Sequence, residues 1–303
     1  MPVQRRSIGY AVLAAALYAL SAPLSKQLLA SVSATMMAAL LYLGAGLGMC
    51  AVRLGQRALK APRHEHSLSR ADLPYVAGMV ALDIAAPIFL MLGLSRTTAA
   101  NASLLNNFEI VATSLIALAV FHERIDRRLW YAIGVVTLAS MLLSVEDAQS
   151  LTFSGGSLLV LLACVCWGFE NNCTRMMSHG DPLYIVVIKG LGSGAGAAVV
   201  AWLGREAIPE WQMIPLAMLL GFVSYGLSVY CYVYAQRSLG AARTSAYYAI
   251  APFVGVGISF LMFQETPGPL FLIALALMLW GSWLLSVEPG KLRRQKANSV
   301  NPK

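Results

Sequence analysis

AANASLLNNFEIVATSLIALAVFHE, residues 99–123, is the stretch that decides the fold. It is long and apolar enough to cross a bilayer, because a hydrocarbon core of about 30 Å needs about 20 helical residues. Glu109 lies near its middle, about 15 Å along a helix that rises about 1.5 Å per residue. A carboxylate at that depth costs about 3 kcal/mol on insertion scales, so we expect Glu109 to face protein or water rather than lipid.

Glu109 belongs to a polar stripe within this stretch. Asn106, Glu109 and Thr113 are spaced i, i+3 and i+7, which places them on one face of a continuous helix. Such a stripe either joins neighbouring helices by hydrogen bonds or serves a ligand. Because ionisable groups inside membranes are functional by default, we favour a role for Glu109 in binding a cationic group or exchanging a proton.

The composition is that of a membrane protein. Hydrophobic residues make up 58% of the 303 residues, charged residues make up 12%, and the mean hydropathy is +0.67. Soluble domains carry about 25% charged residues. The formal net charge of +8 therefore indicates basic residues that flank membrane spans, and nucleic acid is not an expected partner. The five cysteines lie in apolar segments without the spacing of a metal site, and no cofactor is predicted.

Ten apolar segments follow one another along the chain, most of them joined by short connections. Their approximate limits are 7–29, 33–54, 73–95, 99–121, 129–145, 156–178, 182–203, 210–237, 241–264 and 268–287. Each is long enough to span a bilayer. Placing the N-terminus in the cytoplasm puts most of the 22 Lys and Arg residues on the cytoplasmic side. The positive-inside rule therefore predicts that both termini are cytoplasmic.

The second half of the chain repeats the first. Residues 241–265, AARTSAYYAIAPFVGVGISFLMFQE, align with residues 99–123 at an offset of 142 residues, with Ser245 on Ser103. Segments 1 and 6, and segments 2 and 7, match in the same order. Because each half has an odd number of spans, the second half must enter the membrane upside down. Inverted repeats of this kind are common in transporters.

Four stretches make the chain resemble a known family. Residues 18–26 (YALSAPLSK) and 167–175 (WGFENNCTR) share an aromatic-to-basic pattern, and the two aligned stretches close on Glu123 and Glu265. Each motif is weak by itself, but each occurs twice and in the same order. With five segments per half, the chain resembles ten-helix members of the drug/metabolite transporter superfamily, which have two EamA-type halves.

The resemblance implies an all-α integral membrane fold of ten transmembrane helices in two inverted five-helix repeats, with both termini inside. It divides the chain into a first EamA-type repeat (1–147), a second (148–290) and a basic cytoplasmic tail (291–303). The family's helix break is marked by a proline, which Pro252 keeps and Ile110 replaces. Proteins of this kind move small metabolites, often amino acids or toxic compounds, usually outward across the inner (plasma) membrane.

Polar and aromatic side chains in otherwise apolar segments are the candidate lining of a substrate path. Ten are predicted to bind the substrate: Tyr18, Asp83, Asn106, Glu109, Trp167, Glu170, Asn171, Lys189, Tyr225 and Tyr248. We expect segments 1, 3, 4, 6, 8 and 9 to surround the path. Segments 5 and 10 carry almost no central polar residue and are expected at the periphery. Lys26, near the end of its segment, is interpreted as an anchor that reaches the membrane surface.

Four of the candidates are charges held inside the membrane: Asp83, Glu109, Glu170 and Lys189. Three acids against one lysine leave the cluster short of positive charge. Either carboxyl groups are protonated, or they await a cationic group. Both explanations favour a carrier of amines, amino acids or organic cations, with protons as a candidate coupling partner.

A transporter, most simply an exporter that works by alternating access, is the favoured functional class. An importer or an organic-anion or metabolite antiporter is the alternative within transport. A membrane-embedded enzyme would need a nucleophile with its base, or metal ligands, near the membrane surface, and the sparse histidines do not supply them. A receptor normally carries a domain outside the membrane. The expected partners are a small-molecule substrate and the lipid bilayer, and the oligomeric state is left open.

Cysteine labelling tests the predicted orientation. Single cysteines introduced in the loop 57–70 and at 146–149 should lie on opposite sides of the membrane, because three predicted spans separate them. The measurement is modification by a membrane-impermeant thiol reagent, in a background that lacks the five native cysteines. Modification of both positions from the same side would contradict the predicted topology.

Overall fold

The computed structural model describes residues 2–58, 69–121, 127–147, 152–177, 181–239, 247–264 and 267–286. Its helices are α1 (Pro2–Ala19), α2 (Ser21–Leu28), α3 (Ala34–Ala58), α4 (Leu73–Arg96), α5 (Ala99–Leu105), α6 (Phe108–Phe121), α7 (Arg127–Ser144), α8 (Gly155–Met176), α9 (Pro182–Leu203), α10 (Met213–Gly221), α11 (Ser228–Leu239), α12 (Ala251–Phe263) and α13 (Pro269–Ser286). A 3-10 turn at Arg70–Asp72 precedes α4, and a π-helical segment at Phe222–Leu227 joins α10 to α11. Strands β1 (Val145–Asp147) and β2 (Thr152–Phe153) form a short antiparallel ribbon with Val145 opposite Phe153.

The described chain is a bundle of membrane-length helices. Seven helical stretches are long and apolar enough to cross a membrane, and three shorter apolar helices lie within α7, α12 and α13. The prediction of a helical, multi-pass membrane protein is therefore confirmed. The count of ten spans, the inverted repeats and the orientation stay predictions. Glu123, Glu265 and the basic tail 291–303 lie outside the described residues.

Residues 99–121, the described part of this stretch, form two helices instead of one. Between α5 and α6, Asn106 and Asn107 make a turn. The side-chain amide of Asn107 donates to the carbonyl oxygen of Leu104 at 3.1 Å. Asparagine side chains compete in this way with the backbone donors of a helix, which favours a break at this position.

Helix breaks occur at matching places in the two aligned stretches. In the second half, residues 249–250 form a turn directly before α12, and Pro252 lies in the first helical turn. In the first half the break is present although Ile110 replaces the proline. The asparagines therefore favour the helix break in the first half, as the proline does in the second half.

The prediction of one continuous polar stripe on this stretch was wrong for Asn106. The turn separates Asn106 from α6, so Asn106 does not share a helix face with Glu109 and Thr113. Glu109 and Thr113 do lie one turn apart on α6, where the Thr113 hydroxyl donates to the Glu109 carbonyl oxygen at 2.8 Å.

Helix α3 runs between α9 and α10 at very short range, because glycines remove the side chains that would hold the backbones apart. A Cβ on Gly190 would lie 2.5 Å from the backbone nitrogen of Gly46, and a Cβ on Gly44 would lie 2.0 Å from the carbonyl oxygen of Met218. Such small-residue contacts let helices associate in lipid, where dispersion and shape replace the hydrophobic effect. Helix α3 is thereby held at the centre of the bundle.

The edge of the bundle is formed by α7 and α13, which pack mainly against each other. Both present large apolar side chains outward, including Tyr131 on α7 and Trp283 on α13. This position agrees with the expectation for segments 5 and 10.

Lys26, interpreted from the sequence as an anchor, makes specific contacts with another helix. Its ammonium nitrogen donates to the carbonyl oxygens of Leu94, at 2.6 Å, and Thr97, at 2.8 Å. These carbonyls lie at the C-terminal end of α4, where the helix dipole favours a positive charge. Lys26 therefore ties α2 to the end of α4.

Glu206, between α9 and α10, caps the start of α3 from the other half of the chain. Its Oε2 accepts hydrogen bonds from the Ser33 hydroxyl, at 2.5 Å, and from the Met36 backbone amide, at 2.9 Å. Partial burial raises the pKa of Glu206, but the hydrogen bonds from Ser33, Thr35 and Met36 outweigh it and hold the pKa below its ordinary value. The charged carboxylate is thus the form that joins the two halves.

Replacing Gly44 by Ala is expected to destabilise the bundle by about 1–3 kcal/mol, because the new methyl group overlaps the Met218 backbone and forces α3 and α10 apart. The measurement is the thermal unfolding midpoint of the purified protein in detergent. Gly257→Ala on α12 is the matched control, since its Cβ has no neighbour within 4 Å. Equal midpoints for the two variants would contradict the close α3–α10 contact.

Candidate functional site

Charged side chains from α4, α8 and α9 meet inside the bundle. We define the charge triad as Asp83 on α4, Glu170 on α8 and Lys189 on α9. The Lys189 ammonium lies 3.2 Å from Asp83 Oδ2 and 2.9 Å from Glu170 Oε2. The two acid side chains are 0% and 1% exposed, whereas the lysine is 26% exposed. Two buried carboxylates therefore share one partly accessible ammonium.

Uncharged side chains donate hydrogen bonds to the two carboxylates of the triad. Asp83 Oδ1 accepts hydrogen bonds from the Tyr42 hydroxyl and the Trp167 indole N–H, both at 3.2 Å. The Thr174 hydroxyl donates to Glu170 Oε1. One turn after Asp83, Pro87 lies inside α4 and removes the amide that would bond the Asp83 carbonyl. Asp83 thus lies where its helix lacks one backbone hydrogen bond.

Glu109 forms a separate, neighbouring site. Its Oε1 accepts a hydrogen bond from the Asn171 side chain at 2.7 Å, and the same amide lies 3.3 Å from the Thr113 hydroxyl. Among the described residues, no lysine or arginine lies within ion-pair distance of Glu109. Asn171 directly follows Glu170, so α8 holds the triad and the Glu109 site side by side.

Tyrosines from both halves surround Glu109. Tyr18 packs against Tyr225 and Tyr248 with ring centroids 5.9 and 5.5 Å apart, and Tyr225 continues to Tyr42 at 5.5 Å. The Glu109 carboxylate interacts electrostatically with Tyr18, Tyr225 and Tyr248. Tyr225 lies in the π-helical segment, a distortion that is frequent at functional sites.

These groups form one cluster to which both halves of the chain contribute. Tyr18, Glu109, Asn171, Tyr225 and Tyr248 are all half-buried, and they come from three helices, the π-helical segment and the residues that precede α12. The site can therefore hold a small molecule that presents a positive charge to Glu109 and an apolar surface to the rings.

The structure brings together nine of the ten predicted residues and leaves one apart. Asn106 is 8% exposed and lies in the α5–α6 turn, where its role is in the break of the helix. Trp167 is 5% exposed and donates its indole N–H to Asp83. Tyr42 was missed, because a single tyrosine within the apolar run of segment 2 carries no periodic signal. Its only sequence cue is a hydroxyl placed at mid-span.

An open cavity of about 460 Å³ lies elsewhere, between α5, α7, α12 and α13. Thr98, Asn101, Phe260 and Phe271 are among its lining residues. It contains none of the ten predicted residues and no ionisable side chain. Its chemistry does not single out a substrate, so the charged central region is the candidate site. Within the described ranges, no group of three His, Cys, Asp or Glu residues is placed to hold a metal ion.

Comparisons with known proteins agree with this architecture. The pattern of the EamA-like transporter family matches residues 5–145 and again residues 154–287. An uncharacterized transporter of Methanothermobacter thermautotrophicus is 26% identical over 299 residues, covering 93% of this chain and 87% of its own. An uncharacterized transporter of Bacillus subtilis, YyaM, is 25% identical over 182 residues, covering 55% of this chain and 58% of its own.

One crystal structure of a protein has the same fold, with a TM-score of 0.67 at 16% identity, over 98% of this chain and 99% of that chain. The family pattern covers almost the whole chain in two successive matches, and the described helices are those of a multi-pass membrane protein. The chain is therefore a membrane transporter that belongs to the EamA-like transporter family of the drug/metabolite transporter superfamily.

Proposed function

We propose that this transporter exports small cationic metabolites, such as amines, organic cations or amino acids bound through their ammonium group. The observation that carries the proposal is Glu109, a carboxylate at mid-membrane depth with an amide donor, aromatic neighbours and no basic partner among the described residues. A buried carboxylate without a counter-ion is costly. A substrate that brings a positive charge removes that cost while it is bound.

The tyrosines favour a cation over a neutral metabolite. Aromatic faces attract ammonium groups through the ring quadrupole, and the attraction grows when the cation is desolvated. Tyr18, Tyr225 and Tyr248 come from α1, the π-helical segment and the residues that precede α12. A substrate between these rings would thus contact both halves of the chain at once.

The charge triad argues against an organic anion as substrate. Lys189 already contacts two carboxylates, and an anionic group would have to displace one of them. Removing one partner from a buried charge pair is strongly unfavourable. The anion antiporter is therefore the less favoured alternative.

Alternating access is supported by the paired helix breaks. Interrupted helices at corresponding positions of two repeats point to the substrate site in transporters of inverted-repeat build. The break at Asn106 and the break before α12 flank the Glu109 and Tyr248 region. We accordingly propose ten spans in two inverted repeats, with cytoplasmic termini. The outward direction and the plasma membrane follow from the family resemblance.

Replacing Glu109 by Gln is expected to raise the KM for a cationic substrate about 10- to 100-fold, because contacts to a charged partner contribute about 1.5–3 kcal/mol. The measurement is counterflow in proteoliposomes with radiolabelled choline, tetraethylammonium, phenethylammonium and amino acids, together with a sugar phosphate. Glu210→Gln, an exposed carboxyl between α9 and α10, is the control and should transport like wild type.

Two results would overturn the assignment to Glu109. One is wild-type transport by Glu109→Gln at acidic, neutral and mildly alkaline pH. The other is fastest counterflow with the sugar phosphate, which would favour an anion carrier.

Substitution of Tyr18 separates ring chemistry from hydroxyl chemistry. Tyr18→Phe should keep the KM for a quaternary ammonium substrate near wild type, whereas Tyr18→Leu should weaken binding by about 0.5–2 kcal/mol through loss of the ring face. The measurement is the KM for tetraethylammonium or choline in the same counterflow assay. Equal loss in both variants would mean that the hydroxyl, not the ring, matters.

A further inference from the structure

The charge triad holds more negative than positive charge. Asp83 and Glu170 are both buried, and Lys189 is the only basic residue within ion-pair distance of either in the described chain. With all three groups ionised, the triad carries one uncompensated negative charge inside the membrane. A buried charge without compensation is strongly unfavourable, and two carboxylates that share a site resist simultaneous ionisation. One added proton balances the triad.

The hydrogen bonds restrict where that proton can reside. Asp83 Oδ1 already accepts from Tyr42 and Trp167, and Glu170 Oε1 already accepts from Thr174. The other two oxygens, Asp83 Oδ2 and Glu170 Oε2, face the Lys189 ammonium at 3.2 and 2.9 Å. Neither accepts a hydrogen bond from an uncharged donor in the described chain. Each therefore retains a lone pair that can take a proton.

We propose that the charge triad is a proton-binding site that couples export of the cation to proton entry, with one proton shared between Asp83 and Glu170. The inference rests on the proposed function, because the exchanged ion is the cation that binds at Glu109. The proton binds to Asp83 Oδ2 or Glu170 Oε2 from the outer solution and leaves to the cytoplasm. No covalent bond of the substrate changes. One monovalent cation out for one proton in leaves the charge on each side unaltered.

The charge triad and the Glu109 site are close enough for a positive charge bound at one to weaken binding of a positive charge at the other, as exchange requires. Asn171 binds Glu109 and directly follows Glu170, and the Glu109 and Glu170 carboxylates repel each other. A cation at Glu109 makes a proton on the triad less favourable. A proton on the triad removes negative charge near Glu109 and weakens cation binding. Such coupling is reciprocal, so each ligand promotes release of the other.

Other titratable groups face the triad from every side. They are Tyr42 on α3, Glu109 on α6, Cys173 on α8 and Tyr225 in the π-helical segment, beside Lys189 of the triad itself. Tyrosine, cysteine and lysine ordinarily release their protons above about pH 8. Glu109 is thus the one neighbour whose protonation could be confused with that of the triad, and the experiment has to separate the two.

Infrared difference spectroscopy of the purified protein between acidic and alkaline pH gives a readout that needs no substrate. The wild type should show the C=O stretch of a buried protonated carboxyl group. That band should persist in Glu109→Gln and disappear in the double variant Asp83→Asn/Glu170→Gln. Loss of the band in Glu109→Gln with retention in the double variant would overturn the proposal, whatever the substrate is.

Proteoliposomes test the coupling itself. Glu170→Gln leaves one carboxylate for Lys189 and is expected to fold normally. With radiolabelled tetraethylammonium or choline, the ratio of its accumulation driven by an imposed pH gradient to its counterflow without a gradient should fall well below the wild-type ratio. Glu210→Gln should keep both activities. Gradient-driven accumulation by Glu170→Gln at the wild-type level would refute the coupling role, whereas absence of cation counterflow in the wild type would refute only the proposed substrate class.

Discussion

A lysine ammonium and two carboxylates within the apolar interior of a membrane protein must find one another, and this requirement organises the centre of the bundle. Lys189 contacts Asp83 and Glu170 at 3.2 and 2.9 Å, so three helices from both halves of the chain converge on one point. Desolvating these charges is costly, and the cost is offset only while the contacts and the hydrogen bonds from Tyr42 and Trp167 are kept. The relative positions of α4, α8 and α9 are restricted accordingly.

Close helix packing brings the charges within reach. Gly46 and Gly190 let α3 and α9 approach until their backbones nearly touch, and this contact brings Tyr42 of α3 near Lys189 of α9. Side chains larger than hydrogen at these glycines would separate the helices. The polar centre of the protein therefore depends on residues that have no polar side chain of their own.

The two halves share a helix break but carry different side chains around it. Both aligned stretches are broken at matching positions, yet Glu109 in the first half corresponds to Ala251 in the second, and Asn106 corresponds to Tyr248. At these aligned positions the first half thus contributes the carboxylate of Glu109, and the second half contributes the aromatic ring of Tyr248. An asymmetric site suits a substrate whose two ends differ.

Local properties of the sequence were enough for the class, a multi-pass helical membrane protein, and for naming the candidate residues that the structure brings together. Hydropathy depends on composition, and a carboxylate at mid-span is anomalous wherever its helix lies, so Glu109, Asp83, Glu170 and Lys189 were identified without a fold. The break at Asn106 and Asn107 was missed because a proline was expected to mark it. Only the tertiary structure paired Lys189 with both acids, turned Lys26 toward the end of α4 and added Tyr42. It also showed that, among the described residues, no basic side chain lies within ion-pair distance of Glu109. Those outcomes depend on how each helix is rotated and how closely it approaches its neighbours, which is set by packing between distant segments and not by the periodicity of any one of them.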